Sequence, residues 1–244
     1  GLFIYDHLSR RNTLPKSHLI RRSKVPKYFM PLQNEFNKGF LYSDAVTHDA
    51  RLTIENALQA HKYGADIHTR SAFNSAKYQA PHWIIKYTTK DQPLFCKSRC
   101  LINAAGPWVN HILEDIRSPI THKIALVKGS HILVPRLYNE NYAYMLQHTD
   151  NRIIFIVPYH GFTMIGTTDV RLSSIPQQIS ISEEEITYLL EICRRYFKQI
   201  ISKKDIVHQW SGVRPLIEDK TGKAHEITRD YFLDFSADVR NSRY

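Results

Sequence analysis

Short runs in which apolar and polar residues alternate, separated by polar turns, constrain the fold of this chain more than any other feature. Four of them lie at residues 131–135, 142–147, 153–158 and 162–166. Asp150-Asn151 and His160-Gly161 mark tight turns between the last three runs. Because alternation is the pattern of a strand and tight turns join antiparallel neighbours, we expect an antiparallel sheet.

An earlier group of runs predicts a second, smaller sheet. These runs lie at residues 65–69, 77–78, 83–88 and 94–100. They indicate an antiparallel meander that leads into residues 101–106, an apolar strand ending in small residues where a backbone could closely approach a ligand. Two further strands are predicted at 206–210 and 231–235.

Two helices complete the predicted α+β fold. The first begins at Asp49 as N-cap and stops at Gly64. Its stripe at helical spacing consists of Ala50, Ile54, Ala57, Leu58 and His61. The second is predicted from a capping box, in which Ser182 is the N-cap and Glu185 is the third helical residue. Apolar residues then recur at helical spacing, so a helix over 183–198 is predicted.

Length and charge bound the class of protein. A chain of 244 residues holds one large domain or two small ones, and no run reaches the roughly eighteen apolar residues of a membrane-spanning helix. The net charge of +10 favours anionic partners such as phosphorylated metabolites, nucleic acid or acidic lipid. Residues 9–38 are basic and contain three prolines. We expect a surface connection there, with a patch for phosphate or lipid headgroups as the alternative.

The three cysteines argue against a disulfide framework or a zinc site, and they favour a reducing cytosolic compartment. Cys96 and Cys100 lie four residues apart in an alternating run, which predicts that both share one face of a strand. Core packing is favoured for them over a redox or metal role.

Strong local signatures are missing from the sequence: it has no G-x-G-x-x-G, P-loop, H-E-x-x-H or G-x-S-x-G string, which excludes nucleotide binding through a local glycine loop. Glycine is sparse, with nine in 244 residues, yet one lies in KGSH (128–131) and another in IGTTD (165–169). Each of these segments combines a glycine with hydroxyl and ionisable side chains at a strand end, where binding residues are often found. Neither segment is specific alone.

Five strings in a fixed order give a specific resemblance. They are INAAGPW (102–108), KGSHILVPR (128–136), IGTTDV (165–170), SGVRPL (211–216) and ITRDY (227–231). Together they closely resemble FAD-dependent, quinone-linked glycerol-3-phosphate dehydrogenases, and GLFIYDHL, GFLYSD and DARLT match the same family. The resemblance covers nearly the whole chain. It implies a central segment of a longer protein, with a dinucleotide-binding unit before Gly1 and a stretch that closes the FAD site after Tyr244.

The fold implied by this resemblance has two parts. One is an FAD-binding domain of the glutathione-reductase type, and the other is a substrate domain built on an antiparallel sheet with flanking helices. Residues 1–120 are expected to hold part of the first domain, namely the helix and the meander. Residues 121–244 are expected to hold most of the second.

The resemblance also implies roles for individual residues. His131 resembles the active-site histidine beside the substrate C2 hydroxyl, and Thr168 a polar residue that lines the pocket. Arg214 and Arg229 resemble phosphate-binding arginines. The segment expected close to FAD consists of Ala105, Gly106, Pro107 and Trp108. An imidazole suits proton removal near neutral pH and a guanidinium suits a phosphate dianion, while a structural histidine and ordinary arginine ion pairs are the alternatives.

The implied activity is oxidation of sn-glycerol 3-phosphate to dihydroxyacetone phosphate, with electrons passed through FAD to a quinone. The implied location is peripheral, on the cytoplasmic face of the cell membrane, and a homodimer is allowed. Two alternatives stay open: another FAD-dependent oxidoreductase of the same superfamily acting on an amino acid or hydroxy acid, and a non-catalytic basic binding fragment. Nucleic acid is not an expected partner, since no RNA-binding signature is present.

Overall fold

The computed structural model describes residues 14–120, 122–218 and 231–235. The chain divides into two compact units, Gly1–His68 with Cys193–Ile200, and Thr69–Ile192 with Ile201–Tyr244. Both antiparallel sheets and helices are present, so the α+β prediction is confirmed. The predicted division into domains 1–120 and 121–244 stays a prediction about the whole protein.

In the first unit, strands β1 (His18–Arg21) and β2 (Lys38–Leu41) form a two-stranded antiparallel sheet. Ile20 of β1 is buried, as are Phe29 and Leu32 of the segment between the two strands. The prediction of a mere surface connection is therefore wrong for residues 14–38, because apolar residues between the basic ones pack into this unit.

Helix α1 (Asp49–Lys62) also belongs to the first unit. Its N-cap is His48, whose Nδ1 accepts a hydrogen bond from Arg51 N at 3.2 Å, so the prediction of Asp49 as the cap is wrong by one residue. The predicted stop is confirmed by Gly64, which has a left-handed φ of +93°. Among the described residues, the apolar stripe remains exposed, with Ile54 at 59% and Leu58 at 57%.

In the second unit, β3 (Ser71–Gln79), β4 (His82–Thr89) and β5 (Gln92–Ser98) form the predicted meander. No strand forms at 65–69 or at 101–105, because no described residue supplies a neighbouring strand for their backbone groups. The core prediction for Cys96 and Cys100 is also wrong. Both are exposed, because Cys96 lies on β5, an edge strand of the meander whose side chains are nearly all exposed, and Cys100 lies beyond the end of that strand.

The second unit is built mainly on a six-stranded antiparallel sheet. Its strands are β6 (Ile124–Pro135), β7 (Tyr144–Gln147), β8 (Ile153–Tyr159), β9 (Phe162–Gly166), β10 (Val170–Leu172) and β11 (His208–Ile217). Strand β6 is central: it pairs with β11 along one edge and with β9 and β10 along the other. The predicted strands of this region are confirmed, whereas 231–235 has no strand.

The second unit also contains helix α2 (Val109–Asp115), which contacts β3 of the meander, and the larger part of helix α3 (Glu183–Tyr196), whose residues from Cys193 onward belong to the first unit. The capping box of α3 is confirmed, because Ser182 N donates to Glu185 Oε2 at 2.8 Å and Glu185 N donates to Ser182 Oγ at 3.3 Å. Leu189 and Ile192 follow Glu185 on the same helix face and are fully buried. In the part of the chain that the structure describes, no helix combines the length and apolarity needed to cross a bilayer.

Candidate active site

His131 lies in the middle of β6, opposite Trp210 of β11 on one side and Gly166 of β9 on the other. Residues directly opposite each other in an antiparallel sheet project from the same face. The imidazole accordingly stacks on the Trp210 indole, with ring centroids 5.4 Å apart and planes 12° from parallel. We call the side of the sheet that carries His131, Gly166 and Trp210 the front face.

Gly166 makes room for the imidazole. A Cβ at this position would lie 2.7 Å from His131 Cγ and 2.8 Å from Nε2, closer than real Cβ contacts allow. The ring therefore lies directly across the glycine backbone. The group that closely approaches this glycine is a side chain of the neighbouring strand β6.

Arg214 projects from the same face, since it alternates along β11 with Gly212 and Trp210. Its Nη1 lies 3.1 Å from Asp169 Oδ1, and its Nη2 donates to Thr167 Oγ1 at 3.3 Å. Its side chain is about a third exposed, at 32%. An ion pair with Asp169 is thus present, as the alternative interpretation expected, while a guanidinium has five N–H donors and these contacts use two. The phosphate role of Arg214 stays a prediction.

Gly129 makes room for the group that Arg214 forms with Thr167. A Cβ at 129 would lie 2.5 Å from Thr167 Oγ1, 2.9 Å from Arg214 Nη2 and 3.2 Å from the carbonyl oxygen of Thr168. The glycine of the IGTTD segment thus leaves space for the His131 ring, and the glycine of the KGSH segment leaves space for Thr167 and Arg214. Sequence reasoning noticed both glycines but not the side chains that they accommodate.

Thr168 lies behind the sheet, 1% exposed. Its Oγ1 accepts from Ser130 N at 3.0 Å and donates to Glu185 Oε1 at 2.6 Å. The structure thus places Thr168 in a buried network, and its catalytic role stays a prediction. Arg229, the second predicted phosphate ligand, lies outside the described residues.

Glu185 is the centre of that network. Its Oε1 also accepts from Ser130 Oγ at 2.8 Å, and its Oε2 lies 2.8 Å from Lys128 Nζ. Burial acts to raise the pKa of the Glu185 carboxyl, but hydrogen bonds from Lys128, Thr168, the Ser182 backbone and Ser130 outweigh it and lower the pKa. From the sequence, Glu185 is recognisable only as part of the helix capping box. An acidic side chain in the first turn of a helix can also bind polar groups of a neighbouring element, and that is the signal that could have identified it.

The segment predicted to pass close to FAD forms a single 3-10 turn over Gly106–Trp108, directly before α2. Gly106 has a φ of +56°, and apart from its chain neighbours no atom of the described residues lies within 4 Å of where its Cβ would be. Asn103 braces the turn by donating from Nδ2 to Val109 O at 2.9 Å. An open glycine backbone with a half-exposed Trp108 beside it fits a flavin nucleotide in close contact. The roles of Ala105, Gly106, Pro107 and Trp108 stay predictions.

The fold is that of a flavin-dependent oxidoreductase. The solved structure of the glycerol-3-phosphate dehydrogenase from Bacillus halodurans complexed with FAD superposes with a TM-score of 0.73 at 26% identity, covering 82% of this chain and 42% of that one. A glycine oxidase from Geobacillus kaustophilus superposes with a TM-score of 0.67 over 89% of this chain and 54% of its own, and its 15% identity shows the fold alone.

Residues 4–237 match the model of the FAD dependent oxidoreductase family, and the chain belongs to that family. Glycerol-3-phosphate dehydrogenase from Pseudomonas aeruginosa is 44% identical over 97% of this chain and 46% of its own length. D-erythritol 1-phosphate dehydrogenase from Brucella abortus is 39% identical over 96% of this chain and 47% of its own. The resemblance to glycerol-3-phosphate dehydrogenases is thereby confirmed, as is FAD as the family's cofactor. The chain spans about half the length of the relatives it matches.

Proposed function

We propose that this chain is part of an enzyme that oxidises sn-glycerol 3-phosphate to dihydroxyacetone phosphate. The observation that carries the proposal is that His131 and Arg214 both project from the front face of one sheet. Oxidation of a phosphorylated secondary alcohol needs a group that takes the hydroxyl proton and a cation that binds the phosphate. A histidine and an arginine on one rigid surface provide both.

FAD, when bound, supplies the hydride acceptor, and the segment 105–108 would hold it. His131 takes the hydroxyl proton, with its ring plane fixed by Trp210 and its position by Gly166. Arg214 donates to the phosphate oxygens, and Asp169 fixes the direction of the guanidinium while leaving its charge intact. Arg229 is proposed as a second donor to the same phosphate.

Electron transfer to a quinone, docking on the cytoplasmic face of the cell membrane and a homodimeric assembly belong to the same proposal. Membrane docking draws support from the first unit, where Arg21, Lys24 and Lys27 are exposed and the apolar Met30 and Phe40 are exposed as well. Each cation near an anionic surface contributes about 1 kcal/mol, and exposed apolar side chains can enter the headgroup region.

Arg214→Met in the full-length protein tests the phosphate role. A buried dianion that loses one partner costs about 2 to 5 kcal/mol, or about thirtyfold to several thousandfold in kcat/KM for glycerol 3-phosphate. Turnover of unphosphorylated glycerol should hardly change, and Arg214→Lys should recover part of the loss because it keeps the charge without the fork. Equal losses on both substrates would assign Arg214 to folding instead.

D-erythritol 1-phosphate is the second candidate substrate. The chain is 39% identical to the D-erythritol 1-phosphate dehydrogenase from Brucella abortus, which is close to its 44% identity to the glycerol-3-phosphate dehydrogenase from Pseudomonas aeruginosa. Both substrates are phosphorylated polyols and suit the same histidine and arginine. The ratio of kcat/KM for the two compounds decides between them. An amino-acid or hydroxy-acid substrate has the support of fold likeness alone, and turnover of such a compound without turnover of either phosphate would reverse the proposal.

A further inference from the structure

We infer that Glu185 is a positioning residue of this site, which fixes His131 and the Arg214 contacts from behind the sheet. The inference rests on the proposed function of the front face. Glu185 is 5% exposed and touches no front-face residue in the described contacts, so its action runs through the backbone of two segments.

The alternation of side chains connects Glu185 with the front face. Ser130 and Thr168 point backward, and both donate a hydroxyl hydrogen bond to Glu185 Oε1. The neighbour of Ser130 is His131, and the neighbours of Thr168 are Thr167 and Asp169, the two residues that contact Arg214. One carboxylate oxygen therefore ties together the two backbone segments that carry the proton acceptor and the arginine contacts.

Two hydrogen bonds donated by backbone amides join the same two segments. Ser130 N donates to Thr168 Oγ1 at 3.0 Å, and Thr168 N donates to Ser130 O at 3.3 Å. Ser130 Oγ also lies 2.7 Å from Ser211 Oγ, which extends the network to β11, the strand of Trp210 and Arg214. Strand β6, the segment 167–169 and strand β11, which carry the front-face residues, are thus joined by hydrogen bonds on the back of the sheet.

The carboxylate is itself held firmly. Lys128 Nζ lies 2.8 Å from its second oxygen, and the same ammonium donates to Ser180 O at 2.8 Å. Ser182 N donates to that second oxygen as well, within the first turn of α3. One oxygen is bound by Ser182 N at the helix N-terminus and by Lys128 of β6, and the other by Ser130 of β6 and by Thr168, so Glu185 links α3 to the sheet behind the site.

Glu185→Ala in the FAD-loaded full-length protein is the first test. Misplacement of reacting groups by about 1 Å costs up to about a hundredfold in rate, so kcat per bound flavin should fall about tenfold to a hundredfold, and KM for glycerol 3-phosphate should rise. Amide hydrogen exchange should accelerate in peptides covering 126–134 and 163–172 but not in those covering 144–147. The matched control is Glu183→Gln, which removes an exposed carboxylate paired with Lys203 from the same helical turn and should leave every reading unchanged.

A second variant separates the hydrogen bonds from the charge. Glu185→Gln combined with Lys128→Met keeps an oxygen that accepts from Ser130 and Thr168 and leaves no ammonium unpaired. It should retain kcat per flavin within about threefold of wild type, whereas Glu185→Ala should not. If Glu185→Ala fails to fold, Ser130→Ala takes its place, with smaller changes in the same direction.

Flavin content that falls while kcat per flavin and KM stay at wild-type values would overturn the inference, because Glu185 would then only stabilise the fold. Unchanged exchange in both peptides would overturn it as well. Failure of the wild-type protein to oxidise glycerol 3-phosphate would instead refute the proposed substrate, and the exchange experiment would still decide whether Glu185 holds the two segments.

Discussion

The six-stranded sheet and the three-stranded meander of the second unit are both antiparallel but have very different surroundings. Ile132, Ile154 and Ile165 of the six-stranded sheet are fully buried, whereas Ala76 is the only buried hydrophobic residue on the meander strands. Phe95 of the meander is 63% exposed. Backbone pairing alone therefore builds a sheet but does not position side chains closely. The contacts around His131 and Arg214 occur where a helix and a core support the sheet from behind.

His131→Ala should have the largest effect of any change in the six-stranded sheet. Loss of general-base assistance lowers kcat by about two to four decades in the full-length enzyme, with less effect on flavin content. His82→Ala in the meander is the matched control and should leave kcat near wild type. Steady-state kinetics at several pH values decides, and wild-type turnover with an unchanged pH profile for His131→Ala would assign the histidine to structure.

Glu185 makes the stability of the six-stranded sheet depend on pH. Its pKa is lowered in the folded state, so its contribution is complete above the ordinary carboxyl range and is lost as pH falls through that range toward the lowered pKa. Glu185→Gln should cost about 3 to 5 kcal/mol of unfolding free energy at neutral pH, because Lys128 is left without its carboxylate, and less as the pH falls. Urea unfolding at a series of pH values measures this, and a cost that is independent of pH would contradict the assignment.

Gly166→Ala tests whether the glycine exists to make room for His131. Overpacking costs about 1 to 3 kcal/mol of unfolding free energy, and kcat should fall because the ring is displaced. In the His131→Ala background the same change should cost less than about 0.5 kcal/mol, since the clash is gone. Gly212→Ala is the control, because its added Cβ would have no atom within 4 Å in the described part of the chain except those of its chain neighbours. Additive costs in the double variant would mean that Gly166 serves the backbone rather than the histidine.

Phe95→Ala in the meander should have the smallest effect. The side chain is mostly exposed, so the unfolding free energy of the 244-residue chain should change by less than about 0.5 kcal/mol. Chemical unfolding of this chain and of the full-length protein, each with and without the substitution, measures the change in unfolding free energy. A loss above about 1 kcal/mol in this chain would show that the meander has a covered face after all.

Features encoded by neighbouring residues were predictable from the sequence. Strand β9 begins and ends where the alternation and the His160-Gly161 turn predicted, and the Ser182–Glu185 capping box needs only four consecutive residues. Features that need a partner from elsewhere were not. Residues 101–105 have the composition of a strand, but no strand of the described residues pairs with them, and Cys96 lies on a strand that alternates correctly yet is exposed.

The site shows the same division. The strings identified His131 and Arg214 through resemblance, but the positions of Trp210, Gly166 and Gly129 around them follow from the register between strands far apart in sequence. Register depends on how the whole sheet assembles, and single-sequence patterns do not contain it. Glu185 was missed as part of the site for this reason, since its contacts to Ser130 and Thr168 span 55 and 17 residues.

The close fit of His131 over Gly166 has a consequence for how such a protein can change during evolution. A lineage that loses the histidine also loses the steric constraint on the glycine, so alanine or serine can then accumulate at that position without further harm. Restoring the histidine afterwards would require the glycine to return first. The two positions can therefore change only in a fixed order. A homologue with a larger residue at position 166 belongs to a lineage that has lost this histidine.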